Sequence, residues 1–301
     1  MHGAPVRACS SAKARLERRM TREDNPVWAA DPLAFLAELG KADDGAFDPG
    51  VAALAFAALK RPHTAFGRYE AHLHELANIA AGHAAHTGSA AEQAAALSHA
   101  IYESNGYSGD TLTYDDLQNA DLVRVIDRKK GLPVALGILC MSVAHRLSWS
   151  VVGLAFPGHF LLRLDHGGER LALDPFEGAR VLDAAGMRDL LKRMQGDGAE
   201  LTAEHYQPVR NRDVLLRLQN NIKLRRLRAG DISGALETAE AMLAFSPGTV
   251  ELMRETAMMH MRLENIGQAI WGFERYLAAE PEEGLRHKAA KLLQELKLRL
   301  N

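Results

Sequence analysis

Cysteine is scarce in this chain: 301 residues carry two, Cys9 and Cys140. Two thiols make no disulfide framework, so a reduced, cytoplasmic setting is expected. Long apolar runs are also missing; none approaches the roughly 20 residues that cross a bilayer, and no membrane role is expected. Nor does one sign of charge dominate. Lys and Arg number 36 against 38 Asp and Glu, a net −2 that offers no field to gather nucleic acid. The basic runs Arg124, Arg128-Lys129-Lys130 and Lys223, Arg225-Arg226, Arg228 lack the interleaved aromatics that would stack on bases, and read as solvated faces. Residues 1–20 carry Arg7, Lys13, Arg15, Arg18 and Arg19 without the apolar stretch of a secretory signal. Residues 1–30 are therefore expected to form a flexible basic tail, with Met20 a second candidate start.

What the chain does have is helical patterning, then a change of style. Asp31-Pro32 is an N-cap followed by proline at the first helical position, leading into Leu33, Phe35, Leu36 and Leu39. Val51–Lys60, Tyr69–Gly82 and Glu92–Glu103 continue in helical period. Loop chemistry takes over at Asn105–Asp110 and again at Tyr114–Asn119. A short helix over Asp121–Asp127 and an apolar one over Val134–Leu147 follow, separated by Gly131-Leu132-Pro133. Strand-like runs come next at Ser150–Phe156, His159–Asp165 and Arg170–Leu173, with a fourth at Val181-Leu182 and a helix over Ala184–Met194. Helices first and a strand meander afterwards predict an α+β domain with a small antiparallel sheet, not a parallel α/β sheet.

From Asn211 onward the pattern is all helical, and it repeats. Gly234-Ala235-Leu236, Leu243 and Pro247 return 34 residues later as Gln268-Ala269-Ile270, Leu277 and Pro281. A 34-residue period with a small alanine in the second helix and a closing proline is the tetratricopeptide signature. Small residues let paired helices approach, and proline ends each unit because it cannot continue a helix. Leu285–Leu300 is the expected capping helix. The domains expected are thus the tail at 1–30, an α+β domain at 31–205 and an all-α repeat module at 206–301.

The segments Phe156–Arg163 and Leu171–Phe176 place His159 and Asp174 on two short runs joined by Asp165-His166-Gly167-Gly168-Glu169. A hairpin there brings an imidazole and a carboxylate together on one face. Around them, Asn105-Gly106-Tyr107-Ser108-Gly109, Tyr114–Asn119, Arg128–Pro133, Phe156–Leu161 and Leu173–Phe176 resemble the SirB-type branch of the transglutaminase-like superfamily, whose members also carry C-terminal tetratricopeptide-like repeats. By that resemblance His159 is the base, Asp174 orients its ring, and a nucleophilic Cys belongs at the start of the core helix. A helix N-terminus lowers a thiol's pKa, which explains the placement.

This chain reads Pro133-Val134-Ala135 at that start, and none of the three can attack a substrate. Cys140 comes seven residues after Pro133, about 10 Å further along a helix at ~1.5 Å per residue. Its neighbours Ile138, Leu139, Met141 and Val143 are those of an inert core cysteine. Two readings stand: a non-catalytic protein binding a protein or peptide segment, or a cysteine-dependent hydrolase or acyl-transferase using Cys140, His159 and Asp174. For the first, Tyr114, Asp116, Asn119, His159, Arg163 and Asp174 are the expected binding residues; Asp116 and Asn119 also suit helix caps. No cofactor is expected. The cluster His63, His72, His74, Glu75, His83 and His86 has no paired-histidine spacing, since Asn78 stands four residues after His74, and no metal is expected there.

Overall fold

The computed structural model describes residues 25–84 and 88–300; the tail through residue 24, including Cys9, and His86 lie outside the described residues. Local chemistry sets the helix starts. In α1 (Pro32–Leu39) the Asp31 carboxylate accepts from the Ala34 N–H at 3.0 Å. In α2 (Pro49–Ala58) Asp48 accepts from Gly50 in the same manner. The longer α3 (Gly67–His83) turns Tyr69, Leu73, Leu76, Ala77 and Ala80 into the core as one stripe. A reciprocal Ser89–Glu92 capping box opens α4 (Ala90–Ser98), which runs on into a π-helical turn over His99–Glu103.

Next, β1 (Ser108–Gly109) pairs in parallel with β2 (Lys130–Gly131), and α5 (Leu122–Arg128) lies between them. The centre of the molecule is α6 (Pro133–Arg146), every residue of which from Pro133 to Ala144 is buried. A helix apolar all round must be enclosed on all sides. Accordingly α2, α3 and a five-stranded sheet pack around it. That sheet is antiparallel throughout, in the order β6-β5-β4-β3-β7: β3 (Ser150–Leu154), β4 (Leu162–His166), β5 (Glu169–Asp174), β6 (Arg180–Leu182) and β7 (Pro208–Val209). Between β4 and β5, Gly167 and Gly168 at φ +57° and +86° form the two-residue hairpin loop, with His166 opposite Glu169. The helix α7 (Ala184–Gln195) covers the outer side with a small core of its own around Leu154, Phe156, Met187 and Leu191.

Five more helices complete the chain: α8 (Asn211–Arg228), α9 (Ile232–Phe245), α10 (Val250–Arg262), α11 (Ile266–Ala278) and α12 (Glu283–Leu300). Ala235 and Ala269, equivalent in the two repeats, are fully buried where paired helices meet. The first repeat is tied into the preceding domain. Asp44 accepts from the Asn211 and Arg212 N–H groups at 2.6 and 2.9 Å, capping α8 from a distant loop. Val214, Leu215 and Leu218 of α8 and Phe245 of α9 belong to the same core as α6. The sheet's last strand, at Pro208–Val209, lies past the boundary expected between residues 205 and 206. The expected α+β fold with a tetratricopeptide module is the fold observed.

Candidate functional site

The site forms where the start of α6, the loop before β4 and one side of α8 converge. His159 does not lie on a strand, as its apolar neighbours suggested. The run splits because Pro157 has no N–H to give and Gly158 turns left-handed at φ +73°, so β4 begins only at Leu162. The loop still delivers the imidazole to Asp174 at the end of β5, where His159 Nε2 lies 2.9 Å from Asp174 Oδ1. Asp174 is itself fixed: its carboxylate also accepts from the Phe176 N–H at 2.9 Å, capping the turn Pro175–Glu177. Both side chains are largely buried, His159 at 10% and Asp174 at 3% exposure. Phe176 stands edge-on to His159 and to Tyr114, each at 6.1 Å between ring centres.

Along α6 the chemistry ends quickly. Leu132 caps the helix with no side-chain hydrogen bond, and Pro133 opens it. Cys140, the one cysteine among the described residues, is wholly buried. Burial pushes its thiol up to about 12, which the nearby Tyr102 hydroxyl, 3.6 Å away, offsets only in part. Tyr102 sits on the π-helical turn and donates to the Pro175 carbonyl at 2.6 Å, so it braces the turn that Asp174 caps. Its own hydroxyl is held well above the ordinary tyrosine value by the same burial.

The loop at 110–119 forms the site's other flank through an internal polar network. Asp110 accepts from the Thr113 hydroxyl at 2.6 Å, the Thr113 N–H at 2.9 Å and the Arg128 guanidinium at 3.1 Å. These bonds, the Thr113 hydroxyl first among them, hold its carboxyl well below the usual carboxylate range. Asn119, expected among the binding residues, is fully buried instead. Its amide donates to the Thr113 carbonyl at 2.6 Å and accepts from Arg128 at 2.9 Å, leaving nothing for a ligand. Asp116 caps the turn Leu117–Ala120 through the Gln118 N–H. Tyr114 remains half exposed at the rim of the groove.

A polar groove of about 220 Å³ results, lined by Tyr114, Pro133, Val134, His159, Arg217 and Asn220 among others. Arg163 is absent from it. One residue past the start of β4, its side chain lies on the sheet face away from α6, bonded to Asp165 at 3.0 Å and to the Tyr206 carbonyl at 3.3 Å. There it lines a separate depression with Leu171, Val181 and Met187. The alternation of a strand decides this, and a register one residue off sends a side chain to the opposite face.

Sequence reasoning missed the contribution of α8. Arg217 donates to the His159 carbonyl at 2.7 Å, and Arg225 donates to the carbonyls of Asp115 and Tyr114 at 3.0 and 3.2 Å. Lys223 and Arg225, read as part of a solvated charge run, are buried, the first against Glu255 and the second against this loop. Only the tertiary docking of α8 reveals these roles. Of the histidines considered for a metal, His72 bonds Tyr107 at 2.9 Å and His83 stacks on His99 at 4.3 Å. Among the described residues no group of three or more His, Cys, Asp or Glu is arranged to hold a metal ion.

Comparison with known proteins agrees with this architecture. Residues 67–220 match the Transglutaminase-like superfamily, and residues 222–294 match the Tetratricopeptide repeat family. A UPF0162 protein of Xylella fastidiosa is 30% identical over 190 residues, covering 62% of this chain and 68% of that protein. Protein SirB1 of Salmonella typhimurium is 27% identical over 163 residues, 54% of this chain and 60% of that one. F-box only protein 21 of Homo sapiens is 28% identical over 174 residues, which are 56% of this chain and 28% of that much longer protein.

Proposed function

Since the chain belongs to the transglutaminase-like superfamily, we propose that it is a non-catalytic member, a cytoplasmic binding or regulatory protein that holds a protein or peptide segment in the groove beside His159 and Asp174. One observation carries the reading. The imidazole and carboxylate are hydrogen-bonded at 2.9 Å beside a helix start, Pro133-Val134-Ala135, that offers no nucleophile. A thiolate is the attacking species in cysteine catalysis. With its thiol at about 12 and no exposure, Cys140 supplies essentially none at neutral pH.

The repeat module supports a partner of protein nature, because stacked helix pairs present extended surfaces that commonly take peptides or other proteins. Tyr114 and His159 are the residues assigned to the groove, with Asp174 holding the imidazole from behind; Arg163 is assigned to none of it. Partners captured on the full chain are expected to be lost with His159→Ala or Tyr114→Ala, while both variants keep the wild-type circular dichroism. Unchanged partners in both variants would end the groove reading. Rapid alkylation of Cys140 by iodoacetamide in the folded protein at neutral pH would reinstate the hydrolase or acyl-transferase reading.

A further inference from the structure

The groove is electrostatically one-sided. No Asp or Glu lines it, although the chain as a whole is slightly acidic. Arg217, partly buried, forms no ion pair among the described residues; its guanidinium is engaged by the His159 carbonyl and lies over the Phe160 ring at 5.4 Å. Burial lowers its pKa, with only the Tyr114 hydroxyl acting the other way. Even a partly buried cation without a counter-charge loses hydration and is favourably matched by an anion.

Two further groups point the same way. The first turn of α6 has no side-chain cap, and the N–H groups of Val134 and Ala135 meet no protein acceptor among the described residues. Such a helix start carries roughly half a positive charge and free donors. His159, nine-tenths buried and part of the lining, has Nε2 engaged by Asp174, whereas its Nδ1 has no partner among the described residues. The Asp174 carboxylate lies on the Nε2 side of the ring and is occupied by His159 Nε2 and the Phe176 N–H.

We propose that the groove recognises a carboxylate on its peptide partner, received between the Arg217 guanidinium, the His159 ring and the first-turn N–H groups of α6. This inference rests on the groove being a binding site, and it names the chemical group that the site selects. Asn220, also in the lining and with no side-chain hydrogen bond among the described residues, is assigned to the amide next to that carboxylate. A carboxylate suits the planar fork of an arginine, and the groove, at about 220 Å³, admits one terminal residue or one acidic side chain rather than a long segment.

The test uses the full chain with isotope-labelled histidine, the His159 ring signal being assigned by its loss in His159→Gln. N-acetylglycine, N-acetylglycinamide and methyl phosphate are titrated at constant ionic strength. Expected is a saturable shift of the His159 signal with N-acetylglycine and a response at least about tenfold weaker with the amide, the scale of one charge-assisted contact. Arg217→Gln should weaken the N-acetylglycine response by a similar factor, with Arg217→Lys in between. Equal responses to acid and amide would overturn the carboxylate while leaving the groove reading intact. Tighter binding of methyl phosphate would overturn it in favour of a phosphorylated ligand. No response to any probe would also overturn it, and partner capture by the Tyr114→Ala variant would then judge the groove separately.

Discussion

The two tetratricopeptide repeats share a period and a pair of buried alanines, yet they lead different lives. The first, α8 and α9, is continuous with the main core: Phe245 meets Phe47 and Phe56 edge-on at 5.9 and 5.4 Å, under the Arg212 guanidinium. Arg212 also ties the repeat to the carbonyls of Leu39 and Ala42 at 3.2 and 3.1 Å. The second repeat, with α12, buries Ala257, Ala269, Phe273 and Tyr276 in a cluster of its own. Equal sequence period therefore does not mean equal energetic standing. One repeat has become a wall of the α+β domain, and the other remains an appendage stabilised by its nearest neighbour.

The sharpest way to break this contrast is a matched pair of truncations, Phe245→Ala and Phe273→Ala, both at fully buried rings. Each should cost about 3–5 kcal/mol. Phe245→Ala is expected to lower the cooperative unfolding midpoint and to speed alkylation of Cys140, which shares its core. Phe273→Ala should instead raise hydrogen exchange in α10–α12 and leave Cys140 protected. Equal labelling of Cys140 in the two variants, measured in a Cys9→Ser background, would merge the repeats into one unit.

Smaller in effect, Asp110→Asn probes the loop that α8 holds from one side and Arg128 from the other. The Asp110 carboxyl is depressed in the fold, so its stabilisation is present above the unfolded value near 4 and fades as pH falls through the folded one. The variant should be less stable by about 1–3 kcal/mol at pH 7, with the gap to wild type narrowing in acid denaturation curves. A gap independent of pH would assign the loss to packing alone. Smallest of all is Arg299→Ala, which removes an exposed 2.5 Å pair with Glu264 at the outer end of the appendage. It should change stability by no more than about 0.5 kcal/mol, and less at high salt.

Much of this architecture was legible in the sequence because it is written locally. Asp31-Pro32, the Gly167-Gly168 turn and the 34-residue period each declare themselves within a few residues or at fixed spacing. The position of Cys140 followed from counting along a helix. What was not legible depends on contacts distant in sequence. Arg217 and Arg225 look like ordinary helix cations until α8 is docked, and Asn119 looks like a loop amide until Arg128 and Thr113 close on it. Arg163 failed for a finer reason: the strand starts three residues later than its apolar run suggests, which decides the face on which the side chain emerges.

The reach of Arg225 to the Tyr114 and Asp115 carbonyls, and of Arg217 to that of His159, spans the junction between the two halves of the chain. The groove is thus jointly built by the two halves. A grafted α+β portion would arrive with an aromatic flap untethered and a histidine loop unsupported, and a grafted repeat pair would carry only stray cations. Exchange of parts between relatives can then conserve the geometry of this groove only when α8 travels together with the loop it grips.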